Sequence, residues 1–158
     1  MKRTVILLTL GLAVTACAPD ETPVAAPSID PVALVDVSLD LYHSPGCSCC
    51  LGWVAYIESL GAEATITEVA DLAGFKTDQA VPMNATSCHT AIVDGYVIEG
   101  HVPASAIEAL LAAQPDIVGI ALPGMPADSP GMGGDASTWN AQPVVAIEHD
   151  GTLAAFDY

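Results

Sequence analysis

The amino-acid sequence predicts an α/β domain, in which strand-forming and helix-forming segments follow one another along a single chain. Residues 37–42 alternate apolar and polar side chains, as a half-buried strand does. Residues 51–60 carry apolar side chains at helical spacing. Further along, Asp94-Gly95 joins two β-rich runs, which is a strong signal for a tight hairpin turn. Together these patterns indicate the α/β class.

The first half of the domain is predicted as strand, helix, strand and a short helix or loop. The strand at 37–42 runs into a cysteine-containing loop. The helix after it ends at Gly61 as a C-terminal cap, and its inward stripe consists of Leu51, Val54, Ile57 and Leu60. A second strand is predicted at 62–69. The short helix or loop at 71–80 stops before Pro82, because the residue that precedes a proline avoids the helical region.

The second half is predicted as a hairpin, a helix and a C-terminal extension. The hairpin turns at Asp94-Gly95, the helix covers 104–113, and a terminal hairpin lies within 143–156. The order strand, cysteine loop, helix, strand, helix or loop, hairpin, helix is that of a thioredoxin-like domain. We therefore predict a thioredoxin-like domain over 37–158, with a C-terminal metal-binding extension at 118–158.

The first residues resemble a bacterial export signal of the lipoprotein type. Lys2 and Arg3 give a basic start, and the apolar run that follows is too short to span a bilayer. Val14-Thr15-Ala16-Cys17 resembles a lipobox, which predicts a signal peptide at 1–16 and a lipid on the Cys17 sulfur. The alternative is an ordinary cleavable signal that leaves Cys17 free. Both interpretations place the mature protein in the periplasm.

The segment at 17–36 is predicted as a tether between the anchor and the domain. Its prolines and small residues cannot bury much apolar surface and favour extended conformations. Ala18 follows the cysteine where an aspartate would favour inner-membrane retention, so the resemblance to a lipobox predicts anchoring to the outer membrane. The membrane is expected to be contacted only through this lipid.

The charge of the chain excludes nucleic acid as a partner. The sequence holds 19 acidic and 3 basic residues, and Lys76 is the only lysine or arginine after residue 16. A nucleic acid would be repelled by such a surface and would release no counterions. The acidity favours solubility and attracts cations in general, without selecting one metal.

Three cysteines stand within four residues, and they are the main chemical signal of the sequence. Cys47 and Cys50 have C-x-x-C spacing at a predicted helix start, with Cys49 between them. Unpaired amides and the helix dipole favour thiolates there, and a thiolate is both the redox nucleophile and the metal ligand. A dithiol redox site needs only two thiols, so the surplus favours metal. A structural disulfide with a spare cysteine is the alternative.

A fourth thiol is predicted to face the first three. Cys88 and His89 precede the strand that, in a thioredoxin-like domain, lies beside the C-x-x-C helix start, where a proline is usual. Replacement of an inert proline by two ligand types favours a metal site. The alternatives are a hydrogen-bonded loop histidine for His89 and a small buried apolar residue for Cys88.

Two methionines mark the C-terminal extension. Met125 and Met132 lie in a proline- and glycine-rich segment that cannot form a regular helix. Thioether sulfur is a good ligand for Cu(I) and a poor one for zinc or magnesium. We predict that this segment folds over the cysteines as a lid; the alternative is that its methionines only pack against the core.

These motifs together resemble the CopG-type periplasmic copper-resistance proteins, a family with a C-x-C-C signature. The resemblance covers about residues 37–157 and rests on four segments: 44–50, 87–90, 94–103 and 124–132. It implies a thioredoxin fold with a copper-binding extension, a cysteine-bridged multicopper cluster and interconversion of Cu(I) and Cu(II) in copper detoxification. It implies copper ligation by Cys47, Cys49, Cys50, Cys88, Met125 and Met132, with His89, His101 and, less directly, His43 as further candidates.

The leading functional hypothesis is therefore a monomeric periplasmic protein that binds copper and serves either as a copper oxidoreductase that interconverts Cu(I) and Cu(II) or as a copper store. One alternative is a thiol-disulfide oxidoreductase in which Cys47 attacks and Cys50 resolves. Another is a redox-silent Cu(I) chaperone that delivers the ion to an efflux system. The sequence shows no pattern typical of hydrolytic catalysis.

Overall fold

Seven strands form one mixed sheet in the computed structural model, which describes residues 32–158. The strands are β1 (Ser38–His43), β2 (Glu63–Glu68), β3 (His89–Val93), β4 (Tyr96–Glu99), β5 (Gly119–Ala121), β6 (Val145–Ile147) and β7 (Leu153–Ala155). The helices are α1 (Ser48–Ser59), α2 (Leu72–Asp78) and α3 (Ala104–Ala113). Short 3-10 turns cover Met83–Ala85 and Ala136–Ala141.

The spatial order of the strands is β2-β1-β3-β4-β5-β6-β7. β1 is parallel to β2 and antiparallel to β3, β3 and β4 form the hairpin, and β4 is parallel to β5. β6 and β7 continue the sheet in antiparallel fashion. The predicted α/β class is confirmed, and the β2-β1-β3-β4 portion is compatible with a thioredoxin-like core.

The sheet is covered on both faces. Neighbouring residues of a strand point to opposite faces, so Val97 and Ile98 of β4 belong to different apolar clusters. Ile98 belongs to the larger cluster, which also contains the inward side chains of α1 and α3. Val97 belongs to a smaller cluster with Val81 and Ala85 on the other face. Helix α1 is thereby fixed against the sheet, with its cysteine-bearing first turn at one edge of the core.

Helix α1 differs in two respects from its prediction. It begins at Ser48, so Cys49 and Cys50 lie within its first turn. Leu51, expected on the inward stripe, is 48% exposed, whereas Trp53 is fully buried and donates its indole N–H to the Val102 carbonyl at 2.9 Å. The indole gains both an apolar environment and a hydrogen-bond partner in that position, and this rotates the buried face away from Leu51.

The predicted signal peptide at 1–16, the predicted lipidation site Cys17 and most of the predicted tether at 17–36 lie outside the described residues. Near the end of that tether, Leu34 is buried in the core, and its N–H donates to the Leu60 carbonyl at 2.8 Å. No helix within residues 32–158 is both long enough and apolar enough to cross a bilayer.

A buried ion pair joins α2 to the sheet near residues 86–88, the segment that precedes β3. Lys76 of α2 pairs with the fully buried Glu99 of β4 and donates to the Thr90 hydroxyl at 3.0 Å. The Glu99 carboxylate also accepts the Ser87 N–H at 2.6 Å and the Thr90 hydroxyl at 2.6 Å. Each oxygen is therefore satisfied, which is the condition under which a buried charge is tolerated. The network fixes the backbone immediately before Cys88.

Substitution of Lys76→Met should lower the free energy of unfolding by about 3–5 kcal/mol, because it leaves the Glu99 carboxylate buried without its counter-ion. Urea unfolding followed by tryptophan fluorescence measures this loss. The double variant Lys76→Met/Glu99→Gln is the control, since it leaves no buried charge and should recover much of the lost stability. Equal destabilisation of the single and double variants would contradict the ion-pair explanation.

Candidate metal centre

The loop between β1 and α1 presents three sulfurs at the start of the helix. Gly46 has a φ of +79° in this turn, a conformation that favours glycine, and Cys47 is the N-terminal cap of α1. Cys47 and Cys50 form a disulfide, whereas Cys49 is a free thiol. The Sγ atoms of Cys47 and Cys49 are 3.5 Å apart. The C-x-x-C pair is thus oxidised in this structure, with a reduced thiol beside it.

Cys88 directly precedes β3, the neighbour of β1 in the sheet, and lies beside the three cysteines at the start of α1. The antiparallel pairing of β1 with β3 sets His43 opposite His89, so the residue before β3 lies beside the residues after β1. The Sγ atoms of Cys47, Cys49, Cys50 and Cys88 all lie within 4.8 Å of one another. Two free thiols and one disulfide therefore share a single small volume, and its reduction would yield four thiols.

His101 forms a second group of ligand atoms with Cys88 and His89, again all within 4.8 Å of one another. The Nδ1 atom of His101 lies 2.6 Å from the Pro130 carbonyl, which can only accept, so Nδ1 carries the proton. The lone pair of Nε2 then points at the Cys88 Sγ, 2.8 Å away. The Pro130 carbonyl in the C-terminal extension thus fixes the tautomer in which His101 accepts from a thiol or binds a metal ion.

His89 is completely buried and has one ring nitrogen without a partner. Its Nδ1 lies 3.4 Å from the Cys88 Sγ, and its ring packs 4.7 Å from that of Trp53 and 5.0 Å from that of His101, between centroids. The Nε2 atom makes no hydrogen bond. A buried ring nitrogen without a partner costs free energy in the folded state.

The residues of this second group are uncharged at neutral pH. Burial and, to a smaller extent, the neighbouring Cys49 together raise the pKa of Cys88 to about 12. Burial lowers the pKa of His89 well below its ordinary value, and the nearby His101, Lys76 and His43 lower it further. Burial also lowers the pKa of His101. A metal ion that binds Cys88 must therefore displace a proton, but it meets imidazoles that are already in the ligand form.

The extension lies against both cysteine-bearing segments. The Ser87 hydroxyl donates to the Gly124 carbonyl, and the Gly124 N–H donates to the Thr86 carbonyl at 3.1 Å. Farther along, Gly131 packs on α1 so closely that a Cβ at Gly52 would meet the Gly131 oxygen at 2.7 Å. Side chains are excluded at this contact, and residues 124–131 consequently run from the segment before Cys88 to α1 at Gly52.

The two predicted thioether ligands are placed differently. Met125 is 59% exposed and lines a cavity of about 470 Å³ together with Cys47 and Cys88. Met132 is half-buried next to Gly131. His43, the weakest of the predicted ligands, is buried at the end of β1, and its Nδ1 donates to the Ser44 carbonyl at 2.8 Å. It is not part of either group of converging ligand atoms.

Two features of the site were not anticipated from the sequence. The Lys76–Glu99 pair gives no local motif, since its members are 23 residues apart. The Pro130 carbonyl is a backbone group whose role depends only on where the extension lies. The one sequence signal that points to the ion pair is that Lys76 is the single lysine or arginine after residue 16 in an otherwise acidic chain.

The donors that converge here are soft. Thiolates, a thioether and neutral imidazoles are suitable ligands for Cu(I). Zinc also binds thiolates and imidazoles but not thioethers, and magnesium and calcium prefer oxygen ligands. Fold and site together define a class of small α/β protein in which a C-x-C-C helix start, a cysteine-histidine loop and a C-terminal extension enclose a soft-ligand centre.

Comparison with known proteins identifies the family within that class. A model of the family described as "Protein of unknown function, DUF411" matches residues 85–132. Two solved structures, forms 1 and 2 of a copper resistance protein CopG, are each 36% identical to this chain with a TM-score of 0.68. Each match covers 77% of this chain, and 95% and 96% of the two solved chains. No match was found among curated proteins.

The chain belongs to the CopG family of copper resistance proteins. The resemblance drawn from the sequence motifs is confirmed by this match, which extends well beyond the C-x-C-C segment.

The lowered pKa of His89 makes the stability of the fold depend on pH. Below about pH 6.5 the unfolded chain protonates this histidine and the folded chain does not, so unfolding takes up a proton. The free energy of unfolding should fall as the pH drops from about 6.5 toward 5, and the slope for this imidazole should approach about 1.4 kcal/mol per pH unit while the folded chain keeps it neutral. Urea unfolding of the metal-free chain across that range measures the slope. His89→Gln should flatten it, and an unchanged slope in that variant would refute the assignment.

Proposed function

We propose that this protein binds copper through its cysteine cluster and acts in copper resistance. The observation that carries the proposal is the convergence of four cysteine sulfurs within 4.8 Å from two segments about 40 residues apart, in a chain 36% identical to a copper resistance protein. Copper is the cargo or substrate of the site. The proposed ligands are the sulfurs of Cys47, Cys49, Cys50, Cys88, Met125 and Met132, with the imidazoles of His89 and His101.

The crowding of the thiols supports a site that holds more than one copper ion. Adjacent thiolates such as those of Cys49 and Cys50 cannot readily occupy two corners of one tetrahedron, but each can bridge different ions. A mononuclear zinc site usually draws its cysteines from separated pairs. We therefore propose a cysteine-bridged, multinuclear Cu(I) site.

The Cys47–Cys50 disulfide supports a redox role for the same cluster. Two thiolates can each give one electron to a Cu(II) ion, which yields two Cu(I) ions and one S–S bond. The reverse reaction breaks the S–S bond with two electrons, which two Cu(I) ions or an external dithiol would supply. Cys49 and Cys88 remain as thiols in the oxidised form and can retain Cu(I) while the pair changes state.

The cellular setting is proposed from the N-terminal motif alone. The lipobox-like segment that ends at Cys17 supports a lipid-anchored periplasmic protein, directed to the outer membrane by Ala18. In that setting a monomer would take copper from the periplasm and deliver it to an efflux system. A redox-silent Cu(I) chaperone would use the same ligands; the oxidation state of copper during transfer distinguishes the two roles.

A thiol-disulfide oxidoreductase is the second candidate, because the disulfide lies at a helix start as in dithiol enzymes. In this alternative Cys47 attacks a substrate disulfide and Cys50 resolves the mixed disulfide. Cys49 and Cys88 would then be dispensable for the chemistry.

The first test is an anaerobic Cu(I) titration of the reduced full-length chain, with Cys17→Ser to remove the thiol outside the cluster. We expect more than one copper ion per chain by metal analysis, and fewer when the Cys47–Cys50 disulfide is left intact, because two sulfurs are then unavailable as thiolates. A chain that binds no copper, or that holds zinc which copper cannot displace, would refute the proposal.

The second test separates the two candidate functions. In the variant Cys49→Ser/Cys88→Ser, we expect most of the copper to be lost, because only the C-x-x-C pair remains as thiolate ligands. Copper content after desalting measures the loss, and turnover of a model disulfide is assayed on the same sample. Cys47→Ser/Cys50→Ser is the matched control with the same number of thiols. Full copper content in the first variant together with retained disulfide turnover would favour the oxidoreductase.

A further inference from the structure

Two thiols remain beside the disulfide, and they come from different segments of the chain. Among residues 32–158, the cysteines that form no disulfide are Cys49 and Cys88. Cys49 lies in the first turn of α1, and Cys88 directly precedes β3. Their Sγ atoms lie within 4.8 Å of each other. The site therefore holds one pair of sulfurs that is already bonded and a second pair that is close together but still reduced.

The second pair is open to reagents in solution. Cys49 and Cys88 are both partly exposed, whereas Cys50 is completely buried. Cys88 also lines the cavity of about 470 Å³. Cys49 is close enough to Cys88 to affect its ionisation, since after burial it is the next cause of the raised pKa of Cys88. An ion from solvent can therefore meet the two thiols together.

Cys88 is the natural disulfide partner of Cys49. A bond between Cys49 and its neighbour Cys50 would strain disulfide geometry. Cys47 has its Sγ 3.5 Å from that of Cys49, but it is already bonded to Cys50. The Sγ atoms of Cys49 and Cys88 must approach to about 2.05 Å to form a bond. The gap between them is one that a change of side-chain rotamer can close.

We propose that Cys49 and Cys88 form a second redox pair, so that the cluster gives four electrons to Cu(II) instead of two. The inference rests on the proposed copper function and enlarges its redox capacity. First, the Cys47 and Cys50 thiols reduce two Cu(II) ions and form the disulfide that is present in this structure. Next, the thiols of Cys49 and Cys88 each lose a proton to water and an electron to a further Cu(II) ion, and an S–S bond joins them.

The second disulfide removes the last thiolate ligands of the cluster. While only the first pair is oxidised, Cys49 and Cys88 retain Cu(I), but the doubly oxidised chain offers only thioethers and imidazoles. Because thiolates are the metal-binding form of cysteine, an excess of Cu(II) converts a chain that holds Cu(I) into one that releases it. Return to four thiols takes four electrons, which two equivalents of an external dithiol supply by disulfide exchange.

The first measurement counts electrons. The reduced full-length chain with Cys17→Ser is mixed anaerobically with excess Cu(II) and bicinchoninate, a chelator that colours with Cu(I). We expect four Cu(I) ions per chain. On the same background, Cys47→Ser/Cys50→Ser and Cys49→Ser/Cys88→Ser should each give two. A yield of two Cu(I) ions from the chain with all four cysteines would overturn the proposal.

The second measurement locates the new bond. Trypsin cuts after lysine and arginine, and Lys76 is the only such residue beyond Arg3, so Cys49 and Cys88 fall in different fragments. The oxidised monomer is isolated by gel filtration, denatured, treated with N-ethylmaleimide to block remaining thiols, and digested. We expect fragments 4–76 and 77–158 to migrate together on a non-reducing gel and to separate after reduction.

A matched control moves one thiol away without changing the number of thiols. Cys47→Ser/Cys50→Ser leaves only Cys49 and Cys88 to link the fragments. In Cys47→Ser/Cys50→Ser/Cys88→Ser/Ala154→Cys, the second thiol lies at an exposed position of β7. That strand is five strands across the sheet from β1, or roughly 24 Å at about 4.8 Å per strand. The fragments of this monomer should separate.

Separate fragments in Cys47→Ser/Cys50→Ser, or linked fragments in the control with Ala154→Cys, would overturn the second redox pair. Neither result affects Cu(I) binding by the reduced chain, so the proposed function stands or fails by its own titration.

Discussion

The antiparallel pairing of β1 with β3 is the constraint on which the site depends. It places His43 opposite His89 and so brings the loop after β1 next to the loop before β3. Three cysteines lie on the first loop and its helix start, and Cys88 lies on the second. The pairing itself is held by the apolar core, which packs α1 and α3 against the sheet. A register shift of one residue would turn Cys88 to the other face of the sheet.

Burial of the polar groups of the site lowers the stability of the fold, and hydrogen bonds and an ion pair around the site offset part of this loss. His89 is buried with an unpartnered nitrogen, and Cys88 keeps its proton up to a pKa of about 12. These groups are uncharged, so they can be buried without counter-ions. The charged groups below them are paired instead: Glu99 accepts from Lys76, Thr90 and the Ser87 N–H and thereby holds the Cys88 loop in place. The extension then closes the site through the Pro130 carbonyl and the Gly131 contact with α1.

The disulfide gives the cluster two distinct states. With Cys47 and Cys50 joined, only Cys49 and Cys88 are available as thiol ligands; with the bond reduced, all four sulfurs are. Since a thiolate is required for both metal binding and disulfide exchange, the redox state of this pair controls the ligand number of the proposed copper site.

The sequence by itself determined the local features of this protein, because each follows from neighbouring residues. The alternation in β1, the Asp94-Gly95 turn, helix α3 and the three-cysteine helix start were all predicted close to their observed bounds. Four separated motifs also sufficed to identify the family. Other features depend on long-range packing and were decided only by the tertiary structure. They are the inward face of α1, where Trp53 replaces Leu51; the Lys76–Glu99 pair; and the carbonyl that fixes the tautomer of His101. Groups far apart in the chain interact there, and no periodicity in the sequence records which of them meet.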